Sequence, residues 1–193
     1  ANGDVYEGDF KDSKRHGSGR MVYRNGDEYI GQWEDDRKHG DGEYHWEEDK
    51  SSYSGAWVND MQEGDGTLRH SNGHTFSGKF VANLLHGAGS FVTAEGEAHE
   101  GEWFGGKRNG YGKRKFANGD EYEGDFVDDM MHGNGKMKYH NGDYYDGRWF
   151  QNKRDGEGTG VMHLPNDAVY MGSFLNCMAH GEGVMKYDNG DVF

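Results

Sequence analysis

A short motif, aromatic-x-Gly-x-aromatic, recurs along this chain every 23 to 25 residues. It opens at Tyr6, Tyr29, Tyr53, Phe76, His99, Tyr122, Tyr145 and Tyr170, and His99 is the one opening residue outside Phe, Trp and Tyr. A Gly-x-Gly follows inside each copy, and most copies end in Asn-Gly or Glu-Gly. A period of this length predicts an array of stacked units rather than one or two globular domains.

The array covers residues 1–193, and its copies are predicted at 6–28, 29–52, 53–75, 76–98, 99–121, 122–144, 145–169 and 170–192. Because both ends lie in the same phase of the repeat, we expect a fragment of a longer array. Two copies hold extra residues, at Glu48-Asp49-Lys50 and at Pro165-Asn166-Asp167, where longer turns are expected.

The repeat accounts for an unusual composition. The chain has 34 glycines in 193 residues and only 32% hydrophobic residues, whereas glycine is usually about 7% of a globular protein. Nearly all of the glycine falls on repeat positions. With 14% aromatic residues, the chain is too rich in rings to be disordered, so the aromatic side chains must form the core.

Alternation of residue type with period two predicts strands. Tyr122, Gly124 and Phe126 share one face, and Glu123 and Asp125 share the other. Two strands per copy, joined to the next copy by Asn-Gly in a type I′ hairpin turn, make a continuous meander. The sequence therefore predicts an all-β fold: an elongated, single-layer, twisted antiparallel sheet of about eight hairpin repeats.

Charge limits the partners. The chain has 35 acidic and 21 basic residues, an excess that repels nucleic acid and disfavours direct binding to anionic membranes. One cysteine and the lack of a long apolar run predict a cytoplasmic protein.

Tyr122-Glu123-Gly124-Asp125-Phe126, followed by His132-Gly133-Asn134-Gly135 and Asn141-Gly142-Asp143, resembles the MORN repeat (membrane occupation and recognition nexus), and the resemblance covers the whole chain. It implies a scaffold that organises cytoskeletal or membrane-associated structures, binds partner peptides along an aromatic groove, and dimerises. Phospholipid binding is also attached to the family by its name, although a polybasic cluster is missing from this chain.

A single-layer sheet leaves part of its apolar face without a second layer, so we expect a partner protein or peptide to cover it. The predicted groove residues are Tyr29, Trp33, Trp57, Phe80, Trp103, Phe126 and Trp149. The alternative interpretation is that these rings only pack against one another as the core. Terminal strand edges predict a homodimer.

Candidate chemistry is sparse. Cys177 and His180 have a spacing that suits half of a tetrahedral zinc site, completed by a second chain at a dimer junction. His16, His39, His86, His132 and His180 recur at one repeat position. They could form a row of metal ligands or a pH-responsive edge, but capping of a turn or a hydrogen bond to the backbone is the simpler interpretation. No catalytic residues and no other cofactor are predicted.

The sequence thus favours a non-enzymatic, self-associating scaffold that binds protein partners and is associated with the cytoskeleton or a membrane. Two alternatives stay open: a phospholipid-recognition module, and the targeting segment of an enzyme whose catalytic part lies outside this sequence.

Overall fold

The computed structural model describes residues 3–164 and 167–193, without the side chains of residues 156–159. The chain forms two compact units, Ala1–Ala94 with Phe104–Gly106 and Glu95–Trp103 with Lys107–Phe193. The described residues are all-β and contain no helix.

Strands of unit 1 are β1 (Val5–Lys11), β2 (Lys14–Val22), β3 (Glu28–Glu34), β4 (Arg37–His45), β5 (Ser52–Val58), β6 (Met61–Arg69), β7 (Thr75–Val81) and β8 (Leu84–Val92). The remaining strands are β9 (Ala98–Phe104), β10 (Lys107–Lys115), β11 (Glu121–Val127), β12 (Met130–Lys138), β13 (Tyr144–Phe150), β14 (Lys153–Arg154), β15 (Gly156–His163), β16 (Val169–Leu175) and β17 (Met178–Lys186).

Each unit is an antiparallel meander of hairpins. From β1 to β8, every strand pairs with the next strand along the chain. The same order holds from β9 to β13, and from β13 through β15 to β17. The predicted all-β meander of eight hairpin copies is confirmed.

The aromatic residues of the motif lie on one face of the sheet in each unit, which we call the inner face. Along it, six of the eight opening rings, those other than Phe76 and Tyr170, stand edge-to-face against the second ring of their own motif and that of the next copy. Tyr29, for example, lies 5.1 Å from Trp33 and 5.5 Å from Trp57, measured between ring centroids. Such pairs stabilise beyond their burial by roughly 0.5–1.5 kcal/mol each.

Glycine makes room for these rings. A Cβ atom added to Gly31 would lie 2.5 Å from the Cα of Gly42 on the paired strand and 2.5 Å from the hydroxyl of Tyr29. The Tyr29 ring covers both glycines, and its hydroxyl donates to the carbonyl of Gln32 at 2.9 Å. The opening tyrosine is therefore fixed by packing and by one hydrogen bond.

The Gly-x-Gly segments form β-bulges. In the first copy the register shifts between Gly8 and Phe10, and Gly17 adopts a left-handed φ of +64°. The Asp9 carboxylate accepts a hydrogen bond from the N–H of Ser18 at 3.0 Å, which satisfies a donor released from the ladder. A side chain at Gly17 would be strained there.

The predicted position of the type I′ turns is wrong. That turn needs positive φ at both central residues, and in Asn25-Gly26 only the glycine has it, at +90°. The Asn25 side chain instead bonds Asp27, with Oδ1 accepting from the Asp27 N–H at 3.1 Å. Paired positive φ values occur instead in the turn between the two strands of each copy, as at Asp35 (47°) and Asp36 (71°). We call this turn the inner turn.

These inner turns also join neighbouring copies. The N–H of the second turn residue donates to a carbonyl of the preceding copy. Where that residue is Asp or Asn, its side-chain oxygen accepts the N–H of the residue that carries this carbonyl. Asp60 bonds Lys38 in both ways, at 3.0 and 2.9 Å. Because Asp and Asn tolerate left-handed φ and offer an acceptor, they suit this position.

The two insertions differ. Residues 46–51 form a turn one residue longer than residues 23–27, as predicted. In the seventh copy, Gly160 pairs with Gly172, so the extra residues lie before Gly160 in the second strand and not in the next turn. The turn prediction at Pro165-Asn166-Asp167 falls in part outside the described residues, but Asp167 N–H donates to Leu164 in the ordinary way, at 3.2 Å.

Candidate functional site

The seven predicted groove residues lie on the inner face but are buried within the chain. Exposed fractions are 0% for Tyr29, 3% for Trp33, 2% for Trp57 and 2% for Phe80 in unit 1, and 5% for Trp103, 1% for Phe126 and 5% for Trp149 in unit 2. Their rings pack against the opening rings. They form the core of each unit, and partner binding by them stays a prediction.

Other inner-face rings are more accessible. One margin of the inner face is formed by the turns that connect each copy to the next along the chain. Four aromatic side chains at this margin are only half-buried, and we call them the margin aromatics: Tyr23 and Trp46 in unit 1, Phe116 and Tyr139 in unit 2. They pack on the core from one side, with Trp46 4.7 Å from Tyr44. A partner can therefore reach these rings from the margin.

Charge is sorted between the two faces. Where side chains are described, the strand positions that share the inner face with the opening rings hold no Asp or Glu. The same positions hold five cations: Arg15, Lys38, Arg108, Arg114 and Arg154. The charged strand positions of the inner face are therefore all basic, in a chain whose net charge is −14. The period-two alternation of residue type, applied to the second strand of every copy, would have predicted these cations on the inner face.

Four of these five positions are equivalent and face the second ring of the motif. Three of the four cations are committed to the next copy. Arg15 donates to the Asp36 carboxylate at 3.1 Å, Arg108 to that of Asp129 at 2.9 Å, and Arg154 to the carbonyl of Cys177 at 2.8 Å.

Lys38 is the exception. Its backbone bonds Asp60, but its ammonium lies over aromatic faces, 4.4 Å from the Tyr44 centroid and 4.5 Å from that of Trp57. Among the described residues, Nζ has no hydrogen bond or ion pair. Burial lowers the pKa of Lys38, and the charges of Asp60 and Asp27 only partly offset this.

Asp27 completes the surroundings of Lys38. Its carboxylate is buried and accepts from the N–H of Glu47 at 2.9 Å and from the Tyr44 hydroxyl at 2.8 Å. Burial opposes its ionisation, but these hydrogen bonds outweigh burial and hold the pKa of Asp27 below its usual value.

Cys177 and His180 lie at the inner turn of the last copy. Cys177 is half-buried with a left-handed φ of 70°, at the position that Asp or Asn occupies in most copies, and His180 is exposed on β17. The described residues contain no group of three or more potential metal ligands. A zinc site shared between two chains stays a prediction.

At the repeat position of the recurring histidines, turn capping is seen for two residues that replace histidine, whereas Nδ1 of His16 and of His39 has no hydrogen bond among the described residues. Glu63 accepts the N–H of Ala82 at 3.1 Å, and Asn109 accepts that of Asp128 at 3.4 Å. The rings of His86 and His132 instead lie 5.0 and 5.1 Å from Phe104 and Phe150.

Comparisons with solved structures give distant likenesses. The TCP domain of SAS-4 from Drosophila melanogaster, in complex with a proline-rich motif of Ana2, is 15% identical, with a TM-score of 0.48 over 82% of this chain and 85% of that one. A CPAP G-box domain is 10% identical, with a TM-score of 0.48 over 91% and 84%. The TCP10 domain of Danio rerio CPAP with a STIL peptide is 12% identical, with a TM-score of 0.30 over 92% and 82%. At these scores the likenesses carry no functional argument.

Sequence comparison is decisive for the family. No curated protein matches the chain. Among the described residues, no helix could cross a membrane.

The family model of the MORN repeat matches this sequence at residues 6–28, 29–48, 53–75, 76–97, 99–121, 122–144, 145–159 and 170–192. Together with the eight hairpin copies, this match shows that the chain belongs to the MORN-repeat family.

Proposed function

We propose that the chain is a non-enzymatic scaffold that binds partner proteins through its inner face, in a cytoplasmic assembly associated with the cytoskeleton or a membrane. The observation that carries the proposal is the set of margin aromatics. They are half-buried on a sheet face that, in each unit, no second layer of described residues covers. MORN-repeat membership supports a binding role over a catalytic one.

Paired variants on the two faces test this proposal. Trp46→Ala and Tyr139→Ala remove margin aromatics, whereas Phe104→Ala and Phe150→Ala remove exposed outer-face rings, 68% and 49% accessible. Proximity labelling in cells identifies the partners, and their binding to each purified variant is then measured. The first pair of variants is expected to lose these partners, and the second pair to retain them. Equal retention by all four variants would reject the inner face as the binding surface.

The homodimer and its zinc are further parts of the proposal. Light scattering over a wide concentration range, with and without a chelator, separates them: a dimer that a chelator dissociates supports zinc held by Cys177 and His180 of two chains. A strict monomer under all conditions rejects both.

Direct recognition of phospholipid is the alternative that the family name raises. Sedimentation with anionic vesicles at physiological salt distinguishes it from protein binding, because the acidic outer face should keep the chain in the supernatant. The enzyme-targeting alternative is decided by the sequence of the full-length protein.

A further inference from the structure

We propose that the inner face of unit 1 holds a carboxylate-binding site centred on Lys38, and that its occupant is an acidic, extended segment of a partner protein. The inference rests on the proposed function, since it names the class of partner and the point on the inner face where the partner binds.

The first argument is that the Lys38 ammonium has no hydrogen-bonded anion among the described residues. At the equivalent position, Arg15 and Arg108 are neutralised by the Asp36 and Asp129 carboxylates of the next copy. In the Lys38 copy the corresponding carboxylate, Asp60, accepts from the backbone N–H of Lys38 at 2.9 Å, and Nζ lies instead among rings. A half-buried ammonium without a hydrogen-bonded anion is costly, so a carboxylate from outside gains a charge-assisted hydrogen bond there.

The second argument is that the chain's own acids near Lys38 are already engaged. Asp27 accepts from the Tyr44 hydroxyl and the Glu47 N–H, and from the Asn25 amide at 2.9 Å. These contacts hold the Asp27 carboxylate against the turns that contain Asn25 and Glu47. An incoming carboxylate therefore competes with no existing ion pair of Lys38.

The third argument is the set of donors around the same ring. Tyr23 lies 5.9 Å and Trp46 4.7 Å from Tyr44, between ring centroids, and both side chains are half-buried. Neither the Tyr23 hydroxyl nor the Trp46 indole N–H has a partner among the described residues. Elsewhere the indole of Trp57 donates to the Gly42 carbonyl at 3.2 Å. The free donors and ring faces thus suit a segment that presents carbonyl groups and apolar side chains beside its carboxylate.

Charge favours a peptide over a lipid surface. Binding of a narrow acidic segment brings its carboxylates to the Lys38 ammonium, on an inner face of unit 1 whose strand positions hold no acid. A vesicle surface would also approach the acidic residues that give the chain its net charge of −14. Complementarity is therefore best for a segment that fits within the face.

The test uses the whole chain and three labelled peptides of equal length, alternating proline with glutamate, glutamine or lysine, measured by fluorescence anisotropy. Lys38→Met removes the charge and keeps an apolar stem, and Trp46→Ala removes the adjoining ring. Lys79→Met is the matched control, since Lys79 is an exposed lysine on the outer face of the same unit. Thermal unfolding of each variant checks that it folds.

Binding of the glutamate peptide is expected to weaken by about 10- to 100-fold in Lys38→Met, which is the usual effect of losing a hydrogen bond to a charged group. It is expected to weaken in Trp46→Ala and stay within about twofold in Lys79→Met. Equal binding of the glutamine peptide would overturn the carboxylate site while leaving peptide binding by the inner face intact.

Unchanged binding in a folded Lys38→Met variant, or preference for the lysine peptide, would also overturn the inference. Failure of all three peptides would overturn it too, whereas the proposed function would fail only if the margin variants retained every cellular partner. Lys38-dependent sedimentation with phosphatidylserine vesicles, without peptide binding, would assign the site to lipid instead.

Discussion

The copy opened by Tyr122 and the copy opened by His99 place their rings alike but anchor them differently. Tyr122 is 1% exposed and His99 2%, and each ring stands edge-to-face against Phe126, at 5.1 and 4.9 Å. The Tyr122 hydroxyl donates to the Asp125 carbonyl at 3.0 Å. Neither ring nitrogen of His99 has a partner among the described residues. Ring packing and the polar anchor are therefore separate requirements of the repeat.

Phe76 shows what happens when the anchor is missing from a purely apolar ring. It packs on Phe91 at 4.6 Å, and the space above Gly89 is taken by Leu85, whose Cδ2 would lie 3.1 Å from an added Cβ. An opening ring without a polar anchor can therefore leave its glycine, and an aliphatic side chain can then take its place.

The largest effect is expected from Gly124→Ala, beneath Tyr122. The new Cβ would lie 2.4 Å from the Cα of Gly135 and 2.5 Å from the Asn134 carbonyl oxygen. Because both are backbone atoms, we expect a loss of about 3 kcal/mol or more in the free energy of unfolding, measured by urea denaturation. Gly142→Ala is the control: its φ is +95° but its Cβ site is open, so only about 1 kcal/mol should be lost. Similar losses in both variants would contradict the clash.

Acidification should weaken the His99 copy next. Burial, together with the charges of Arg108 and Arg114, lowers the pKa of His99 to about 4, and Asp129 opposes this. The unfolded chain binds a proton below about pH 6.5, whereas the folded chain does not until about pH 4, so stability present above pH 6.5 is lost between these values. We expect a loss of about 2–3 kcal/mol, measured by urea denaturation at successive pH values.

His99→Tyr supplies the control for this pH effect and a prediction of its own. A tyrosine there removes the unpartnered nitrogens and, by the repeat spacing, brings a hydroxyl to the carbonyl of Glu102. We expect a gain of about 1–2 kcal/mol at neutral pH and a flatter profile between pH 6.5 and 4. A variant that keeps the slope of the parent would show that other groups carry the pH dependence.

Tyr122→Phe should have the smallest effect. It removes only the hydrogen bond to the Asp125 carbonyl, so about 1 kcal/mol should be lost, as measured by thermal unfolding. A loss much larger than this would indicate that the ring leaves its glycines as Phe76 does, and the crystal structure of the variant would show it.

Much of the fold could be predicted from local pattern, because a strand repeats every two residues and the copies repeat every 23 to 25. The pattern did not locate the positive φ values, since Asn-Gly suits several turn types, and Asn25 is used for its side-chain acceptor. It also misplaced the insertion of the seventh copy, because Gly156, Gly158 and Gly160 offer two possible Gly-x-Gly registers and only pairing with Gly172 chooses between them.

The candidate site was less predictable. Residue type identified the inner rings, but the most regular of them, such as Trp57, are buried by their neighbours, and accessibility belongs to less regular positions such as Trp46. The alternation places Lys38 on the inner face, but it does not show that its ammonium, unlike the guanidinium groups of Arg15 and Arg108, lies over rings and bonds no carboxylate.

By itself, the sequence determined the number of copies, the two strands in each copy and the face that carries the rings, since these follow from spacing and alternation. Only the tertiary structure decided which rings stay reachable, which turn residues join the copies and which cation lies over rings instead of bonding the next copy. Those features depend on the neighbouring copy, whose contacts in space are set by register and side-chain direction rather than by the order of residues.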